Sequence, residues 1–236
     1  PALDQLDEAL CLADGDPDLT IRICLNAVRM VPLVGQDERT QRYLRILCSR
    51  EITTSEAGRV WAGRILLSLA AHHFQQEKYR KAADKFVEAA SWHRANVGPY
   101  DAHDQRCMLR IATLGLGETY LILGKNALAL AALKEAERVL DDHSKIHMVH
   151  YLRGAIFAAD GDSDAAIQSY RQALATSHQC HDHCFRIRIV DMLALELART
   201  GEKKELRLLL DPIIAECARA ELPDLVLKWQ KCSMRP

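Results

Sequence analysis

The 236-residue sequence predicts an all-α protein, a solenoid of stacked antiparallel helix hairpins, and three observations carry the prediction. Almost every segment longer than about ten residues repeats its apolar positions at helical period. No stretch alternates apolar and polar residues as a half-buried strand does, and only 7 prolines interrupt the chain. A two-helix unit also recurs along the sequence, which is the mark of a repeat protein. About ten to twelve helices and no sheet are expected within one domain, residues 1–236.

The elements follow in chain order. The first hairpin, about 4–32, contains "ADGDPDLTIRICLNAVRMVP", with a turn glycine at Gly15, Ala27 at the helix contact and Pro32 closing the unit. Residues 36 to 52 read as an extra helix with no evident partner. The second hairpin, 55–95, pairs "WAGRILLSLAAHHF" with "KYRKAADKFVEAA" across the short link "QQE", so the two apolar stripes must face each other. The third and fourth, 106–141 and 144–177, align residue for residue. Gly117 and Gly154, Tyr120 and Phe157, Gly124 and Gly161, Ala129 and Ala166, and Ala136 and Ala173 fall at equal spacing. The small residues let paired helices approach, the rings fill the wedge between them, and the turn glycines take the backbone geometry that closes the first helix. The last hairpin, 183–220, keeps Ala194, Gly201, Leu210 and Ile213 of that pattern.

This order of small residue, aromatic, turn glycine, alanine, large residue and alanine resembles the tetratricopeptide repeat. Leu69, Ala70, Tyr79, Ala82, Phe86 and Ala89 extend the resemblance upstream. It implies a right-handed superhelix whose use is to bind protein. The unit spacing, about 37 to about 47 residues, exceeds the usual value of about 34, which implies longer helices. The resemblance specifies an architecture and not an activity.

Composition narrows the function. With 49% hydrophobic and 27% charged residues the chain has a core-forming balance. A net charge of −1 leaves no broad basic field for a phosphate backbone, so no direct nucleic-acid partner is expected. No apolar run reaches the roughly 18 to 20 residues that span a bilayer, and no membrane partner is expected. The 8 cysteines lack the rhythm of a disulfide framework, so reduced thiols and a cytoplasmic or nuclear setting are expected. The start at Pro1 reads as a piece of a longer protein.

Enzyme signatures are absent or misleading. "GLGETY" lacks the third glycine of a dinucleotide fingerprint and sits inside a helix, and "LGKN" lacks the rest of a phosphate loop. Both are read as packing and turn glycines, and no enzyme is expected.

The resemblance places the first helix of each repeat on a concave groove that holds a partner segment. Carried over, the groove residues are Leu67, Ala71 and Phe74, then Leu114, Glu118 and Leu121, then Met148, Tyr151 and Ala155. This set is mostly apolar and lacks the Lys, Arg and Asn residues that grip a terminal carboxylate. The expected function is therefore a protein-binding scaffold or adaptor, a possible subunit of a larger assembly. The alternative is a peptide-sensing regulatory domain of a signalling or transcription regulator, and a lower alternative is a zinc- or redox-responsive scaffold.

One stretch carries metal-ligand chemistry. "SHQCHDHC" and "HSKIHMVH" bring His143, His147, Cys180, His181, His183 and Cys184 to one rim of the predicted solenoid, and imidazole and thiolate are the ligands tetrahedral zinc takes. The spacing matches no standard zinc signature, so a polar, protonatable rim without cofactor is the first expectation and zinc the second.

Overall fold

The computed structural model describes residues 2–13, 15–30, 37–95, 101–139, 146–177 and 183–219. Among the described residues there are twelve α-helices and no strand, so the chain is all-α. None of these helices is long and apolar enough to cross a membrane. The chain divides into two compact units, Pro1–Gly124 with Glu135–Leu140, and Lys125–Lys134 with Asp141–Pro236.

The first unit contains α1 (Ala2–Leu12), α2 (Pro17–Met30), α3 (Asp37–Leu47), α4 (Arg50–Thr54), α5 (Glu56–Gln75), α6 (Tyr79–Arg94) and α7 (Ala102–Ile122). Short polar residues start α2, α4, α5 and α7, where a side-chain oxygen satisfies an N–H that has no partner within the first turn, whereas α6 starts at Lys78 without a side-chain cap. Asp16 accepts from the Leu19 N–H at 3.1 Å, with Pro17 at the first helical position. Asp101 accepts from the Asp104 N–H at 2.7 Å. α2 packs on α3 and α5, α5 on α6, and α6 on α7, while α5 also touches α7. Ile21, Tyr43, Leu47 and Ile65 fill one core, and Ala70, Ala82, Phe86 and Leu109 a second.

The extra helix expected at 36 to 52 is two helices with partners. Its break falls at Cys48 and Ser49, where Ser49 caps α4 through the Ile52 N–H at 3.3 Å. α3 docks on α2 and α5, and its Arg39 and Arg42 each pair with α1, at Asp4 (2.9 Å) and Asp7 (3.2 Å). The buried Tyr43 hydroxyl donates to Asp7 at 2.7 Å. At the next corner Ser55 accepts from the Gly58 N–H at 2.9 Å and donates to the Ile52 carbonyl at 2.7 Å. The chain doubles back so tightly there that a Cβ at Gly58 would lie 1.8 Å from that carbonyl oxygen.

The second unit contains α9 (Ile146–Ala159), α10 (Ser163–Ser177), α11 (His183–Thr200) and α12 (Lys203–Arg219). α9 pairs with α10, α10 with α11 and α11 with α12, while α9 also touches α11. Tyr151, Ile167, Tyr170, Ile189, Leu193 and Leu197 lie in one cluster. Ala166 and Ala173, two of the repeat alanines, are fully buried. Gly154 lets α9 approach α10 until an added Cβ would stand 2.8 Å from the Tyr170 ring. α8 (Asn126–Arg138) divides between the units at Lys134.

The turn glycines expected at Gly15, Gly124, Gly161 and Gly201 all have left-handed backbone, with φ of 82°, 69°, 86° and 79°. In the α5–α6 turn Glu77 takes that place, at φ 56°.

Candidate functional site

In the first unit the nine groove residues predicted from sequence begin on α5 and α7. Leu67 and Leu114 are buried and hold the helices from beneath. Ala71 is exposed, while Phe74, Glu118 and Leu121 are half-buried. Phe74 packs edge-on against Tyr79 of α6, with ring centroids 5.4 Å apart. Of the four that keep some exposure, Ala71, Phe74 and Leu121 are apolar and Glu118 is a carboxylate.

In the second unit Met148 and Ala155 keep part of their surface, whereas Tyr151 is a core residue. Its ring meets Phe185 at 5.1 Å and Tyr170 at 5.9 Å. Arg188 of α11 lies over both Tyr151 and Phe185, 5.4 Å from each centroid, a favourable placement of a cation on ring faces. Arg188 was not visible in the sequence as part of this surface, because only the contact between α9 and α11 brings it there.

A pocket of about 280 Å³ lies at the α6–α7 junction, lined by His93, Arg94, Ala102, Gln105, Arg106 and Leu109. His93 and Gln105 are both buried, and His93 Nδ1 lies 2.8 Å from Gln105 Oε1. The amide oxygen can only accept, so Nδ1 carries the proton. Burial holds the His93 imidazole below its ordinary value, which keeps it neutral near pH 7. Arg94, at the rim, donates to Glu135 at 2.8 Å. Nothing in the sequence singled out this pair, whose members stand 12 residues apart on different helices.

Of the metal candidates, His143, Cys180 and His181 lie outside the described residues, and so do the side chains of His183 and Cys184 in the first turn of α11. His147 is buried on α9, its ring edge-on to Phe185 at 5.3 Å. Among the described residues no group of three or more His, Cys, Asp or Glu is placed to hold a metal ion.

Polar contacts in the second unit join residues 33 or 34 positions apart. Asn126 donates to Asp160, 34 residues on. Ser163 donates to Glu196, 33 residues on, and Arg171 binds Glu205, 34 residues on. Arg199 also donates to Glu196 at 3.0 Å.

No protein-family model matches the chain, and no curated protein matches it in sequence. A solved structure, BtubC (BKLC) from P. vanneervenii, is similar to it with a TM-score of 0.64 over 94% of this chain and 89% of that one, at 17% sequence identity. Likeness at that identity bears on fold and not on activity.

Proposed function

We propose that the chain is a tetratricopeptide-like solenoid that serves as a protein-binding scaffold, holding a partner segment on the first helices of its hairpins. The observation that carries the reading is the division of labour on α5 and α7. Leu67 and Leu114 are buried in the core, while Ala71, Phe74 and Leu121, all apolar, keep part of their surface exposed, as does Glu118. Side chains that only filled a core would not keep that surface. The paired helices, the left-handed turn glycines and the contacts about 34 residues apart support the repeat architecture.

The test begins with peptides selected from a displayed library against the folded chain. Affinity is then measured for the wild type and for the double variant Ala71→Glu, Leu121→Glu. Two carboxylates against an apolar contact are expected to weaken binding by about 1 to 3 kcal/mol, roughly tenfold or more, with unchanged helical content. Unchanged affinity in the folded variant would reject the surface. Tyr151 is unsuited to this test, since a charge there enters the core.

A further inference from the structure

The binding surface leaves one polar arrangement on α7 unused. His103, Cys107 and Arg110 stand at helical spacing on one stripe of the helix. Cys107 Sγ lies 3.6 Å from His103 Nε2 and 3.5 Å from Arg110 Nη2. The Cys107 thiol is partly exposed, His103 is exposed and Arg110 is fully buried. A thiol becomes a nucleophile when a neighbouring base can take its proton and a cation can face the resulting thiolate. Both groups are here, on opposite roles: an imidazole nitrogen within reach of the S–H, and a guanidinium N–H directed at the sulfur. The other described cysteines have different surroundings. Cys24 is buried, and burial pushes its thiol up to about 11. Cys11 and Cys48 are exposed.

From this geometry we infer that Cys107 is a reactive thiol, a modification site that takes a low-molecular-weight disulfide in exchange. This goes beyond the scaffold reading and does not depend on it. In the step, His103 Nε2 accepts the thiol proton and Cys107 Sγ attacks one sulfur of the disulfide. The Sγ–S bond forms, the old S–S bond breaks, and the departing thiolate takes the proton from His103. Cys107 is thereby oxidised to a mixed disulfide and one thiol is released, with no other oxidant needed.

Cys11 provides an internal control because exposure alone would make it react first. The reduced protein is treated near pH 7 with iodoacetamide, and alkylation of each cysteine peptide is followed by mass spectrometry. Cys107 is expected to react about tenfold faster than Cys11, because only Cys107 has an imidazole nitrogen within reach of its thiol and a guanidinium N–H facing its sulfur. His103→Gln, a change at an exposed position, is expected to bring the Cys107 rate down to that of Cys11 and leave Cys11 unchanged. Oxidised glutathione is expected to add to Cys107 reversibly, with dithiothreitol removing it. A Cys107 rate at or below that of Cys11, a rate indifferent to His103→Gln, or no glutathione adduct on Cys107 would each overturn the assignment.

Discussion

The two units solve the same packing problem in different ways. The second packs α9 on α10 with a glycine at the close approach, has glycines in the α9–α10 and α11–α12 turns, and buries alanines between. The first departs from that pattern three times, at the α3–α4 break, at the α4–α5 corner around Gly58, and at Glu77 in the α5–α6 turn. It also buries a neutral polar pair, His93 and Gln105, where the second unit packs rings. Repetition needs only small residues at fixed places, whereas each departure needs its own polar or steric device.

The largest contrast should appear on adding one methyl group to each unit. Gly58→Ala drives a Cβ against the Ile52 carbonyl, which is backbone and cannot rotate away, so a loss of more than about 3 kcal/mol is expected in chemical denaturation. Gly154→Ala meets the Tyr170 ring at 2.8 Å, which can shift slightly, and about 1 to 3 kcal/mol is expected. Equal costs would mean that the α4–α5 corner is not a rigid joint.

A second contrast is in pH dependence. Burial holds His93 below its ordinary value of 6.5, so as pH falls below 6.5 the unfolded chain takes up a proton that the folded unit refuses. Stability from this residue is therefore present above pH 6.5 and is lost progressively as pH falls below it. His73, lowered first by burial and then by His72, Lys78, Lys81 and Lys85, adds to the same slope. Protection factors of α6 and α7 amides, referred to the intrinsic exchange rate at each pH, should fall over that window, and less so in His93→Gln, which keeps a polar partner for Gln105 without titrating. An equal slope in the variant would remove His93 from the account of acid sensitivity.

The smallest effects are expected in the turns, with opposite signs. At Gly161, φ is 86° with open space around the Cα, so Gly161→Ala costs only backbone strain, up to about 1 kcal/mol. Glu77→Gly relieves the same strain in the first unit, and thermal unfolding should show a gain below about 1 kcal/mol after the entropy of the added glycine is counted. A loss at Glu77→Gly would show that the side chain offsets its own strain.

These contrasts also mark what could be read from the sequence. The second unit was legible because glycine and alanine at Gly154, Gly161, Ala166 and Ala173 answer a purely steric need at fixed spacing. Helical period alone does not register a two-residue break such as Cys48–Ser49, although Ser49 and Ser55 are good caps in retrospect. The turn at Glu77 carries no glycine, and the His93–Gln105 pair joins two helices with no pattern linking them. Of the positions carried over as groove residues, Leu67, Leu114 and Tyr151 are buried. Each step along a helix turns a side chain by about 100°, enough to move Tyr151 or Leu67 from a surface into a core.

The central claim is that the first helices, and not the second, carry the binding surface. Its most direct test is a spin label on a library-selected peptide, with line broadening read along the chain by nuclear magnetic resonance. Broadening centred on Ala71, Phe74 and Leu121, or on Met148 and Ala155, is the expected result. Broadening centred instead on α6 or α10, with those five residues unaffected, would contradict it.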